Sequence, residues 1–383
     1  MSKLNVKFKT LTPLWTSNAW GQCIEIRSSS IIGSLRFWFE VLCYFNGIVN
    51  DNYFDNEGKP CEKLNYKDFQ KKLEDKINRK LKNDEEYNIE KLTDEILSEL
   101  GISLPSRIFG CTGWRGRIKI KKIEPIEDYC FGNRLNLPYA IGIKKDNGDK
   151  NIIEWRTKND YHQFIKEKYN GDNNNFKKDW SVWYFSDPYF YGKFEVTFET
   201  DKTIKDAVLI PLLNFIEKYG YIGGKWNIGY GRVKILNNDW DKDKTTFELS
   251  NFIKSVKNGK IEKYEDFDFN DIVENINNEN SKEIGSFNDL LKIQNKILIL
   301  KNQIEGNFKD IIKELIKIRA LRRKGHKEDR GDNNERHQIF GYNNPTEGSK
   351  ILPYIYEDKD DRKLKGGFIS ITGILNIKGD TNV

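Results

Sequence analysis

The sequence is poor in the residues that most metal and redox chemistry requires. Of 383 residues, five are cysteine, three are histidine and one is methionine. The cysteines (Cys23, Cys43, Cys61, Cys111 and Cys130) form no CxxC pair and no zinc-ligand spacing. An odd, scattered set reads as the reduced thiols of a cytoplasmic protein, not as a disulfide framework or a metal site. No uncharged apolar run approaches the roughly 20 residues of a membrane helix; the nearest, residues 31–45, is broken by Arg36 and Glu40. The opening MSKLNVKFKT lacks the apolar stretch of a signal peptide. A large charge of one sign is missing too, since 64 Lys+Arg stand against 58 Asp+Glu for a net +6. That balance excludes a polycation or an acidic tail and leaves local basic surfaces as the place to look. HExxH and GxSxG are absent. The expectation is therefore no catalytic set, no metal, no cofactor, no small-molecule substrate and no membrane.

What is present is enough chain for roughly two domains of about 100–200 residues each. Residues 4–14 open with an alternating strand, in which Val6, Phe8 and Thr10 interleave with Lys7 and Lys9. Ser28–Ser30 then precede a helix whose Ile31, Leu35, Trp38, Leu42 and Phe45 step by four and three. Residues 46–100 read as a charged helical insertion. SRIFGCTGWRGRIKIKKIE follows, with a turn at Gly110–Gly113 and a strand over 115–123. Residues 124–186 suggest short aromatic strands, 193–200 an alternating strand, and 211–219 a short helix. Beyond 237 come an acidic, Asn-rich segment (266–279), a helix over 308–324, a polar stretch (325–335) expected to be mobile, and a last strand over 367–377. Helix, an arginine shortly before IFG, turn and strand recur roughly 230 residues apart, as SRIFG with RIKI and as RHQIFG with KILPYI. Two copies of one supersecondary unit are implied, the second degenerate.

The strongest local signal is the cluster Gly220, Gly223, Gly224, Gly229 and Gly231, with Lys225, Arg232 and Lys234 and no carboxylate. Two readings stand: a backbone cradle for phosphate, or a glycine-rich hairpin. In the first, Lys225 and Arg232 meet phosphates while Trp226 and Tyr230 pack on sugar or base. Arg107, Arg115 and Arg117 lie in a basic run with Trp114, and Arg319, Arg322 and Arg323 in another that leads towards Arg336. Arg27 and Arg36 flank a helix start, where N–H groups already attract an anion; the alternative for Arg36 is an ion pair with Glu40 four residues on. Three such stretches together point to RNA. Histidine chemistry, with His337 or His326 as base in a metal-independent endoribonuclease, is the competing reading.

FKTLTPLW, IRSSSIIGSLRFWFE, RIFGCTGWRGRIKI and YIGGKWNIGYGRVKI resemble, in that order, the signature blocks of CRISPR RAMP proteins. The fuller pattern is similar to the tandem-RAMP subunit of type III-B (Cmr) effector complexes. The resemblance implies an α+β fold of tandem ferredoxin-like (RRM-like) domains with helical insertions, here over residues 1–240 and 241–383. It implies crRNA, target RNA and other RAMP subunits as partners, with binding to the 3′ part of the crRNA and no slicing activity. Slicing RAMP subunits carry an aspartate between the first strand and first helix; here Glu25 is the only carboxylate in residues 15–28.

Overall fold

The computed structural model describes residues 1–45, 49, 62–145, 152–185, 188–237, 281–290, 297–330, 333–343 and 346–371. In the first half, β1 (Ser2–Thr10), α1 (Ser28–Phe45), β2 (Lys119–Pro125), β3 (Lys193–Thr200), α2 (Ile210–Lys218) and β4 (Val233–Asn237) follow one another. They build a sheet of order β4-β1-β3-β2 in which every neighbour is antiparallel. This is the ferredoxin-like arrangement. Successive side chains on a strand point to opposite faces, so Leu4, Val6 and Phe8 are buried while Lys3 and Lys7 face Glu199 and Glu195 across the register. Ile31, Leu35, Trp38 and Leu42 form the buried stripe of α1; the side chain of Phe45 lies outside the described residues.

The second half contains β5 (Ser281–Glu283), β6 (Ile297–Glu305), α3 (Phe308–Arg330), α4 (Asn333–Phe340), β7 (Ile351–Glu357) and β8 (Leu364–Ser370). Its sheet has the order β5-β6-β8-β7. The last three of these strands pair antiparallel and repeat the first half's 1-3-2 arrangement. The fourth place belongs to β5, which precedes β6 and runs parallel to it. The copy is therefore degenerate in its fourth strand. Leu298, Leu300 and Phe368 pack with Ile311, Ile312 and Leu315 of α3, whereas Ile299, Tyr354 and Ile369 join the first half's core. Both faces of the second sheet are thus covered, and the halves share one interior. Residue 240 itself lies outside the described residues.

Several expectations are corrected. The stretch after Lys324 does not leave the helix: α3 continues to Arg330 and α4 begins at Asn333. Extending a helix fixes only one further residue per hydrogen bond, so a polar sequence without a breaking proline continues it at low cost. Residues 124–186 hold strands at Ala140–Lys144, Ile152–Trp155 and Trp180–Tyr184, but also helices at Lys158–Tyr169 and Asn173–Asp179. The first of these helices starts on a reciprocal cap between Thr157 and Asp160. The insertion carries helices at Tyr66–Lys82 and Ile89–Glu99; residues 50–61 and 266–279 lie outside the described residues.

Candidate nucleic-acid interface

The glycine-rich segment leaves α2 and turns back into β4 through a short 3₁₀ turn at Trp226–Ile228. It is pinned from both sides. Gly223 N–H donates to Ser34 Oγ of α1 at 2.9 Å, and Gly224 N–H donates to Trp15 O at 2.9 Å. Gly229 and Gly231 N–H groups donate to Trp226 O and Pro13 O. A Cβ on Gly231 would lie 2.2 Å from Ile222 O, and Gly231 has φ +89°. Gly223 and Gly231 are required by close approach to backbone, Gly224 by the Trp15 ring and Gly229 by its φ of +87°, and their donors are already used. The segment expected to cradle phosphate at Gly223, Gly224, Gly229 and Gly231 is in this structure a closely packed glycine-rich helix-to-strand turn.

Three of the expected phosphate ligands, Arg107, Arg232 and Arg319, are buried, and others are engaged by neighbouring protein groups. Arg232 is 1% exposed and donates to the carbonyls of Ile216, Glu217, Lys218 and Gly220 at the end of α2 and to Ile355 of β7. Its guanidinium lies against the Tyr221 and Tyr354 rings, at 5.3 and 4.8 Å. A cation there satisfies the orphan carbonyls and the negative end of the helix dipole. Tyr230 is fully buried, edge-on to Tyr189 at 6.0 Å. Arg107 and Arg117 both reach the buried Asp94, at 3.0 and 3.5 Å, and Arg117 also binds Asp201 at 2.7 Å. Burial first, and then a hydrogen bond to Asp201, raise the pKa of the neighbouring Glu90. Arg36 adopts its alternative, with Glu40 Oε1 at 2.6 Å, and donates to Gly110 O at 2.8 Å.

Arg319 is 2% exposed, donates to Asn227 O and Phe340 O at 3.3 and 2.9 Å, and lies 4.8 Å over the Trp183 ring. Burial, and then the Arg323 charge, push its pKa down to about 9, which leaves it charged at neutral pH. Arg323 donates to Gly341 O at 3.1 Å. Arg336 lies 2.9 Å from His337 Nε2; a guanidinium only donates, so that ring nitrogen accepts and its lone pair is engaged.

A smaller set remains at the surface. Lys225 is half-buried, with Nζ 4.9 Å over the Trp15 ring; burial lowers its pKa. Its φ of +61° is unusual for a residue with a side chain and costs of order 1–3 kcal/mol, a strain that clusters at functional sites. Trp226 stacks on Trp38 at 5.5 Å but keeps an accessible edge. Arg27 sits at the start of α1 beside exposed Ser28 and Ser29 and pairs with Glu25 at 3.1 Å. Lys225, Trp226, Trp15, Arg27 and the α1 N-terminus thus belong to connected elements. Arg115 and Arg322 are exposed on other elements, the Gly110–Arg115 hairpin and α3, where Arg322 is 5.6 Å from the Phe287 ring.

The open face of the first sheet is not a stacking platform of the RRM kind. Its outward positions on β1 and β3 are Lys, Asn, Thr and Glu, paired as Lys7–Glu195 at 4.0 Å and, from β2, Lys121–Glu199 at 3.0 Å. Trp15 and Ser34, which set the position of the glycine turn, were not singled out by the sequence; neither carries a local pattern that marks it. Among the described residues, no group of three or more His, Cys, Asp or Glu is placed to hold a metal ion, and no helix is long and apolar enough to cross a membrane.

A model of the RAMP superfamily matches residues 7–234. The chain belongs to the RAMP superfamily. The match runs from within β1 to within β4 and takes in the α1–glycine-turn surface. No curated protein sequence matches the chain. Among solved structures, the chain is similar to apo Cmr1 from Pyrococcus furiosus, at 15% identity and a TM-score of 0.40, over 97% of this chain and 88% of that one.

Proposed function

We propose that this RAMP protein is a non-catalytic, RNA-binding subunit of a type III-B (Cmr) CRISPR ribonucleoprotein. It binds the 3′ part of the crRNA, helps capture target RNA, and works with other RAMP subunits in the cytoplasm. The observation that carries the reading is the strained Lys225. A cation is held at positive φ over Trp15, on the turn that closes against the N-terminal part of α1. Superfamily membership and the ordered sequence blocks supply the assignment to CRISPR RNA. The engagement of His337 Nε2 counts against His337 as the base of an endoribonuclease; the side chain of His326, the other candidate base, lies outside the described residues.

The test is to incubate the purified chain with labelled repeat–spacer RNA in EDTA and to read binding and cutting separately. Retention without cutting, weakening with salt by roughly one unit of slope per phosphate contact, is expected. No retention at low salt would refute RNA binding; specific cutting abolished by His337→Ala would establish the nuclease instead. Sequencing the RNA that co-purifies from the native cell tests the CRISPR assignment itself.

A further inference from the structure

The loop between β1 and α1 holds a tryptophan out in solvent. Trp20 is 85% exposed, whereas the other seven described tryptophans are buried or half-buried. The exposure is built in. Asn18 Oδ1 accepts from the N–H groups of Trp20 and Gln22, each at 2.9 Å. Asn18 N–H donates to Gln22 O at 2.9 Å, and Gly21 N–H donates to Asn18 O at 3.0 Å with φ +74° at Gly21. Asn18 Nδ2 donates to Gln22 Oε1 at 3.2 Å. One asparagine thus ties a closed turn whose tip is Trp20. The base of the loop is anchored by Thr16, whose Oγ1 donates to Glu25 O at 2.9 Å, and by the buried Cys23 and Ile26.

We propose that Trp20 is a stacking platform for an unpaired base of single-stranded RNA. This deepens, and rests on, the RNA-binding function proposed above. Three features select this occupant. The loop begins at Trp15, the residue over which Lys225 lies and whose carbonyl holds Gly224, so it adjoins the cationic turn. Its only carboxylate, Glu25, is neutralised by Arg27 at 3.1 Å, so nothing in the loop repels phosphate. The size also fits a base: one tryptophan presents on the order of 200 Å², about a quarter of what each partner buries in a stable protein interface. Exposed Ile24 beside it leaves that shortfall large. The backbone N–H groups of Trp20, Gly21 and Gln22 are used inside the turn, which leaves the indole ring as the tip's contact. Stacking on it is accordingly tolerant of sequence.

The experiment measures anisotropy of the full chain with a fluorescein-labelled, unstructured single-stranded RNA over a salt series. Trp20→Ala is expected to weaken binding by about 5- to 150-fold, with the salt slope unchanged because no phosphate contact is lost. Trp20→Phe should retain most of the affinity. Trp20→Leu, apolar but without a flat face, should behave like Trp20→Ala. All three should keep the parent's thermal midpoint, since the side chain packs on little. Parent-like affinity of Trp20→Ala, or of Trp20→Leu, overturns the stacking assignment while leaving RNA binding intact. Failure of the parent chain itself to bind RNA overturns both.

Discussion

Replacing Arg232 by Met separates two accounts of the most basic-looking residue in the glycine-rich segment. If Arg232 met RNA, its loss would flatten the salt dependence of binding by about one unit and leave stability alone. The structure implies the opposite. Five carbonyls lose a charged donor, four of them at the end of α2 and one on β7. At least two retain another partner: Ile216 O keeps the Gly220 N–H, and Lys218 O keeps the Tyr354 hydroxyl at 2.9 Å. A buried acceptor left short costs about 1–3 kcal/mol, and an unanswered, partly buried helix C-terminus up to about 2 kcal/mol. Methionine fills most of the volume between the two tyrosine rings, so the cavity contribution is small. A net loss of about 3–5 kcal/mol is expected, or about 6–20 °C in thermal midpoint at about 2–4 °C per kcal/mol. Arg232→Lys keeps the charge without the fork and should fall between. Thermal and urea unfolding give the stability, and RNA anisotropy against salt gives the slope. An unchanged midpoint with a slope reduced by one would refute the capping argument.

Other perturbations follow from the same geometry. Lys225→Gly removes a side chain held at φ +61°; stability should rise by about 0.5–1 kcal/mol while RNA affinity falls and its salt slope drops by about one, seen by pairing melting with anisotropy. Gly231→Ala drives a Cβ to 2.2 Å from Ile222 O and should cost about 2–4 kcal/mol; Gly101→Ala, at φ +75° with nothing within 4 Å, should cost only about 1 kcal/mol of strain. Burial pulls Glu357 upward, but the Lys234 hydrogen bond and the Lys9 and Lys234 charges outweigh it and hold its pKa below the ordinary 4.5. Its folded pKa being depressed, the clasp stabilises above 4.5 and is lost as pH falls through the lowered value. The difference in midpoint between parent and Glu357→Gln should therefore be present at pH 7 and vanish in acid.

The regular elements were legible because their signals are local. Alternation in β1 and the four-and-three spacing on α1 each place a buried stripe within one window of sequence. The helix at Lys158–Tyr169 was legible in principle as well: Tyr161, Phe164, Ile165 and Tyr169 keep helical spacing behind the Thr157–Asp160 cap. Their aromatic character suggested strands instead. The basic site was misread for a different reason. A basic run in sequence shows charge and not its partner, and the partners lie far off: Asp94 for Arg107, Asp201 for Arg117, and backbone carbonyls for Arg232 and Arg319. Carbonyl acceptors leave no trace in a sequence. Trp20 is the converse case: its outward position follows from a local turn tied by Asn18 and Gly21, residue types that mark a turn without saying which way its tryptophan faces.

The internal repeat explains why the misreading fell where it did. In each half a long helix is followed, in the first half after the two insertion helices, by a short one ending in Ile-Phe (Leu104–Phe109 and Asn333–Phe340), a glycine at positive φ (Gly110 at +95°, Gly341 at +79°), a hairpin of two-residue strands and a strand of the sheet. In each half, too, an arginine of the long helix grips the carbonyl at that glycine: Arg36 on Gly110, and Arg323 on Gly341 with Arg319 one residue earlier on Phe340. The arginines that recur with the motif therefore hold its corner, orienting an otherwise under-bonded turn against its helix. Arginine concentrated around the motif reports the architecture of the fold, and RNA contact is to be sought in residues the repeat does not need. Lys225 at its strained φ and Trp20 at the tip of its turn are of that kind: neither holds the corner, Lys225 is kept in place at a cost in strain, and Trp20 is held out by a turn that does not need its ring.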